Sequence, residues 1–233
     1  MFVVLRRKHI ILLSILLAVI AVGAIVMPYA LKTEYVYIVP KSRYTVVVDA
    51  GHGGIDGGCV GKSTGVYESD LNLKYSRELA KQLNSLGISV VMTRNSGDGL
   101  YDSGASNLKR SEMKRREEII RSSSCNLVVS IHMNSFPIRS ARGAQVFYKK
   151  NNEEGEVLAS SIQENLKDNI PYAKKTSKVG DYYILNCTDL PSALVECGFL
   201  SNAEEELLLQ DASYLENFCR VLAGGIVKFL DEK

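Results

Sequence analysis

The chain has 233 residues, with 28 lysines and arginines against 26 aspartates and glutamates and a formal charge of +2. That length suits one domain of ordinary size plus an appendage. Without Arg6, Arg7 and Lys8 at the amino end the basic residues no longer outnumber the acidic ones, and a near-neutral domain with no basic stripe among aromatics excludes a nucleic-acid partner.

Those three basic residues precede an uncharged run from Ile10 to Met27, closed by Pro28. The run lies at the short end of a bilayer span and is long for a signal-peptide core. Basic residues before it and none directly after hold the amino end in the cytoplasm and send the rest out. No cleavage site stands out: Met27-Pro28-Tyr29-Ala30 is a poor small-x-small match, and Val22-Gly23-Ala24 lies inside the apolar run. Residues 1–30 therefore read as an uncleaved membrane anchor, with a cleaved signal peptide as the alternative. A buried core helix does not fit a segment with no polar face. Everything after it is expected to be extracytoplasmic. Residues 31–44 read as a linker with a short strand at 34–39, and residues 45–233 as a single catalytic domain.

From Thr45 onward, β-branched runs alternate with helical patterns. Strands are expected at 45–49, 88–94, 126–131, 144–148 and 192–196, with a weaker candidate at 181–185. Most are apolar without alternation, as strands covered on both faces should be. Helices are expected at 68–87, ending on Gly87, at 107–124, and at 155–170, stopping before Pro171. Asn202 and Glu205 have the spacing of a capping box for a further helix, and an amphipathic helix closes the chain. This alternation predicts an α/β fold: a mainly parallel, mixed, six-stranded sheet with helices on both faces. The polar, glycine-rich loop 95–106 is expected near a cleft. Cysteines 59, 125, 187, 197 and 219 fit no metal-knuckle spacing and are odd in number, so at least one stays free or pairs between chains. Most read as core packing, and a disulfide cannot be assigned from spacing.

Open parallel sheets place their working residues at the carboxyl ends of strands. Here those ends carry Asp49 and His52, then His132 and Asn134, then Glu196. The third histidine is His9, in the anchor. Glu68 opens the first long helix of the domain, which begins on the same side of the sheet. Two imidazoles and a carboxylate are a recurring catalytic zinc set, with a further carboxylate beside the metal as base. His52 and His132 are the expected ligands. Physics alone does not separate the two glutamates. Glu68 takes the ligand role here because it returns close to the glycine loop, and Glu196, on its own strand end, takes that of base. Asp49 either orients His52 through a hydrogen bond or supports the turn.

The glycines of Val46–Gly58 followed by Gly61-Lys62-Ser63-Thr64 raise a rival reading, a phosphate loop. That motif needs glycine at position 56, which is Asp56, and a helix starting at the lysine, whereas Gly65 follows. No G-x-G-x-x-G leads into a helix either. The nucleotide reading fails on spacing.

With VVVDAGHGGIDGG, Glu68, LVVSIHMNS and LPSALVECGFLSNAEE in that order, the chain resembles the zinc-dependent N-acetylmuramoyl-L-alanine amidases that cut peptidoglycan, over roughly Thr45 to Leu230. It is most similar to the germination-specific amidases of spore formers, which help make the muramic lactam of the cortex. The resemblance implies zinc ligands at His52, Glu68 and His132 and a catalytic glutamate at Glu196. Arg116 stands where members of the family often have arginine. Arg121 departs from a common asparagine, and Cys197 follows the catalytic glutamate. No site-blocking helix and no wall-binding repeat is recognised, which makes an activating or targeting protein partner an expectation. Two rivals are weighed beside this reading. One is a zinc peptidase acting within the stem peptide; the other is a non-catalytic wall-binding protein.

Overall fold

The computed structural model describes residues 7–30 and 43–233. The expected strand at 34–39 and nearly all of the linker lie outside the described residues. The chain divides into two units, residues 1–39 and 40–233. In the first, α1 (Arg7–Ala30) is one continuous helix with exposed apolar side chains such as Leu12, Leu16 and Val19. Among the described residues no helix is long and apolar enough to cross a membrane, so the anchor reading rests on the sequence.

The second unit is built on one sheet. Its strands are β1 (Thr45–Ala50), β2 (Ser89–Met92), β3 (Leu127–Asn134), β4 (Gln145–Tyr148), β5 (Lys178–Val179) and β6 (Ser192–Phe199), in the order β2-β1-β3-β6-β4-β5. The first four in that order run parallel, and β4 is antiparallel to β6 and carries β5 parallel at the edge. The expected mixed, mainly parallel sheet is the one observed.

One expected strand is not there. Residues 181–185 run into a short helix, α5 (Tyr183–Asn186), and the sixth strand is the two-residue β5 before Gly180. The reason is packing. Ile184 and Leu185 are consecutive and both pack into the same smaller core, which one turn of helix achieves and a strand sending successive side chains to opposite faces does not.

The period of two along each strand sorts its side chains between two layers. Val46 and Val48 of β1, Leu127, Val129 and Ile131 of β3, and Ala193 and Val195 of β6 join the large core. That core lies under α2 (Glu68–Ser85), α4 (Glu153–Asn169) and α7 (Ala212–Asp231). The opposite set, Val47, Val128 and Leu194, forms a smaller core with α5 and α3 (Leu108–Ser122). On that thinner side the same alternation places Asp49, Ser130, His132 and Glu196. Polar chemistry therefore falls on the less covered face.

The helix ends follow their local sequence. Beyond α2, Gly87 at φ +77° lets Ile88 N–H donate to Leu83 O and Gly87 N–H to Asn84 O, the paired bonds of a glycine-terminated helix. Asn107, Asn152 and Asp211 accept from backbone amides at the starts of α3, α4 and α7. Asn202 caps α6 (Ala203–Leu208), but the expected capping box is only half present. Glu205 turns away to accept from Phe199 and Gly143 backbone N–H groups at 2.9 and 2.8 Å. All five cysteines are free, four of them buried.

Candidate active site

The glycine loop after β1 is held by its carbonyls. Arg94 Nε donates to Ala50 O at 2.9 Å, and its Nη2 reaches Gly51 O and Ser69 O at 2.9 and 2.8 Å. Arg116 Nη1 and Nη2 donate to Ala50 O and His52 O, both at 2.7 Å. Both arginines are buried, and a buried guanidinium needs counter-charge. Arg116 has Asp49 and Glu112, each at 2.5 Å. Asp49 also accepts from Thr93 and Ser130 at 2.7 and 2.6 Å. Burial works against its charge, but Arg116 and those hydroxyls hold its carboxyl below the ordinary range. Of the two roles weighed for Asp49, it takes the supporting one: it anchors the arginine that fixes the turn.

The clamp sets His52 at φ +59°, a left-handed conformation that a non-glycine residue keeps only where its surroundings enforce it. From there its ring reaches Glu68 at the start of α2. His52 Nε2 lies 3.2 Å from Glu68 Oε1, and His132 Nδ1 lies 2.9 Å from the same oxygen. One ligand atom from each of the three lies within 4.8 Å of the others. The imidazoles meet edge to face, 5.0 Å between centroids. His132 can come this close because residue 51 is glycine; a Cβ there would stand 2.3 Å from its ring. Glu68 is steadied by the Cys59 amide at 2.9 Å on its other oxygen.

Two nitrogen donors and one carboxylate fit a zinc ion in kind and number. The electrostatics agree. Burial raises the Glu68 pKa, but hydrogen bonds with His132 and His52 overcome this and hold it well below the carboxylate range. Burial likewise disfavours charge on His52, yet the Glu68 and Asp56 carboxylates push its pKa up to about 9. The cluster thus draws in positive charge, and a dication would displace the proton.

Glu196 sits beside this group, opposite His132 in the β3–β6 register. It lies inside β6 rather than at its end, because the strand continues to Phe199. It is 8% exposed, and its Oε2 is buried without a hydrogen-bond partner. Burial raises its pKa to about 7, with the nearby imidazoles pulling down and Glu68 pushing up. Asn134, expected at the same strand end, closes β3 against Phe199 and Leu200 and stays out of the cluster. His9 belongs to α1.

Two functional features escaped the sequence reading. Asp56, which entered only as the residue that breaks a phosphate motif, holds His52 Nδ1 at 2.9 Å. Its signal was a carboxylate four residues after a candidate ligand, since metal-binding histidines commonly give their second nitrogen to a carboxylate. The second is the fate of Gly61–Thr64. The amides of Ser63 and Thr64 and the Thr64 hydroxyl all donate to Glu206 of α6, at 2.6 to 3.0 Å. The segment is an anion cradle after all, and the anion is the protein's own. Loop 95–106 packs against the glycine loop, Gly54 N–H donating to Gly97 O at 2.8 Å.

A cavity of about 310 Å³ opens from His52 and His132 between α3 and α5, walled by Lys109, Met113, Tyr182 and Tyr183.

The chain is similar to known proteins. The germination-specific N-acetylmuramoyl-L-alanine amidase of Bacillus subtilis is 33% identical over 198 residues, 83% of this chain and 83% of that one. The CwlD amidase from Clostridioides difficile, solved in complex with the GerS lipoprotein, superposes with a TM-score of 0.78 at 36% identity. The match covers 82% of this chain and 100% of that structure. The catalytic domain of CwlV, an N-acetylmuramoyl-L-alanine amidase from Bacillus (Paenibacillus) polymyxa, gives 0.72 at 29%, over 82% and 99%. The family model described as N-acetylmuramoyl-L-alanine amidase runs from residue 46 in β1 to residue 228 in α7, across every element that builds the cluster, and this chain belongs to that family, Amidase_3.

Proposed function

We propose that the chain hydrolyses the amide between the lactyl group of N-acetylmuramic acid and the L-alanine of the stem peptide in peptidoglycan, with His52, Glu68 and His132 holding Zn²⁺. When bound, the ion supplies a Lewis acid that polarises the scissile carbonyl and lowers the pKa of water. Glu196 takes the proton from the attacking water and passes it to the departing amine as the C–N bond breaks. Asp56 fixes the His52 ring, and the Asp49–Arg116 pair fixes the loop that carries it. The observation that carries this reading is Glu196: a buried carboxylate with an unpartnered oxygen beside two histidines and a second carboxylate, Glu68, with proton affinity near neutrality. Such a group is costly to bury without a task.

The setting follows from the relatives. One is named for germination, which supports a role in cortex maturation through muramic lactam formation. Another was solved with a lipoprotein bound, which supports a protein partner for this chain too. The amino-terminal apolar run acts as a membrane anchor or a cleaved leader and keeps the domain outside the cytoplasm.

The test is product identification by mass spectrometry on intact peptidoglycan, together with metal content. The parent protein releases stem peptides and leaves free muramic ends. Glu196→Ala keeps zinc and releases nothing, whereas His132→Ala loses both. Shortened stems in place of free muramic ends would overturn the bond assignment, and parent-level cleavage by Glu196→Ala would overturn the role of Glu196.

A further inference from the structure

The cavity beside the two histidines does not end at Lys109. Lys109, Met113 and Tyr183 also line a second cavity of about 660 Å³, which continues along α3 past Arg110, Lys114 and Glu117. The two form one groove from the candidate metal site along the α3–α5 face. Tyr183 ties its walls together, its hydroxyl donating to Glu117 Oε2 at 2.7 Å while half of the residue stays exposed. Met113 and the Tyr183 ring give the groove an apolar floor.

The rim is cationic. Three basic side chains, Lys109, Arg110 and Lys114, face one carboxylate, Glu117, which Arg121 already pairs at 2.9 Å. Nearer the metal site the lining also carries Asp49, Asp56, Glu112 and Asp181; the first three already hold Arg116 or His52, and Asp181 accepts from Asn186 at 2.8 Å. By contrast, Arg115, Arg116 and Arg121 of the same helix all hold carboxylates. Arg110 and Lys114 stand four residues apart, a spacing at which like charges disfavour a helix. Lys109 and Arg110 also lie in the first turn of α3, where the helix dipole disfavours cations; α2, α4 and α6 carry acidic residues there. Two local costs are thus accepted on the one flank that borders the groove, and an anionic chain lying across it would offset both.

We infer that this groove receives the acidic stem peptide of the substrate, and that Lys109, Arg110 and Lys114 select it by its free carboxylates. The inference rests on the amidase reading and adds which part of the substrate lies where. The stem leaves the scissile bond through L-alanine and carries carboxylates farther along, and a peptide of a few residues extends at about 3.5 Å per residue. Its small methyl side chains suit the Met113–Tyr183 floor.

The experiment uses the full zinc-loaded chain and two muropeptides that differ only in whether the stem carboxylates are free or amidated. The parent is expected to favour the free form by roughly tenfold in kcat/KM, the scale of one charge-assisted hydrogen bond, and to lose the preference as salt screens it. In Arg110→Ala/Lys114→Ala the ratio between the two forms falls toward one, through KM rather than kcat, and Lys114→Glu turns the preference round. Because the ratio is read within one preparation, a partly unfolded variant does not mimic the result. A parent that cleaves both forms equally, or a double variant that loses equally on both, overturns the groove assignment and leaves the amidase reading standing. Cleavage of neither form by the parent overturns both.

Discussion

Two glycine-rich loops lie within fifteen residues of each other, and opposite ends of the peptide group hold them. The first, Ala50–His52, turns its carbonyls onto two buried guanidiniums. The second, Gly61–Thr64, turns its amides onto one buried carboxylate. The first ends in a histidine forced into a left-handed conformation and aimed at Glu68. The second presents no side chain to the cluster; it fastens the approach to α2, so that Glu68 begins the helix where His52 can meet it. Glycine content alone says nothing of this. What separates a loop that delivers a ligand from one that supports it is the sign of the buried charge behind it.

Removing that charge is the most damaging test. In Arg116→Met the side chain keeps its bulk, but Asp49 and Glu112 lose their cation at full burial. Breaking a buried pair from one side costs about 3–5 kcal/mol, so urea denaturation should show a loss of that order. Zinc content should fall with it, because His52 O is released. On the second loop Glu206→Gln should cost less, about 1.5–3 kcal/mol, the scale of hydrogen bonds to a charged group. Here zinc should be largely retained, since Glu68 keeps its bonds to Cys59 and His132. Space at residue 61 belongs to the same argument: a Cβ on Gly61 would stand 2.3 Å from the Glu206 carboxylate. If both variants lost zinc equally, the two loops would not differ in the way described.

That His52, Glu68 and His132 come together with Glu196 beside them was legible in the sequence because three physical signals coincide. Apolar runs mark strands, strand ends face one edge, and only His52 and His132 are left once His9 is assigned to the apolar segment. The supports were not legible, because each joins residues far apart in the chain: Arg116 to Asp49 across 67 positions, Ser63 to Glu206 across 143. Arg116 did leave a trace. Glu112, Arg116 and Ile120 are buried at four-residue spacing, a stripe that the density of charge on α3 makes look solvated. Residues 181–185 misled for the opposite reason. Their apolar content is high, but its arrangement suits a turn of helix against the sheet.

Asp56 separates holding the backbone from holding the ring. It belongs to the first loop, where Gly53 and Asp56 bridge through paired backbone bonds at 2.8 and 3.1 Å, yet its carboxylate acts on the His52 side chain rather than on a carbonyl. Its other oxygen accepts from Gly58 N–H at 3.1 Å. Asparagine is therefore the informative replacement: it preserves size and a carbonyl acceptor for Gly58, and puts an amide NH2, a donor without charge, where the carboxylate oxygen stood behind Nδ1. Loss of such a partner typically weakens metal binding by about 10- to 100-fold. Asp56→Asn should fall toward the lower end of that range in a zinc competition titration against a chelator. The metal-free melting temperature should barely move, since the side chain is one-third exposed and the arginine clamp is untouched. A variant that binds zinc like the parent would show that the carbonyl clamp alone orients His52. A variant that loses stability without zinc would place Asp56 among the supports of the loop, beside Arg94 and Arg116.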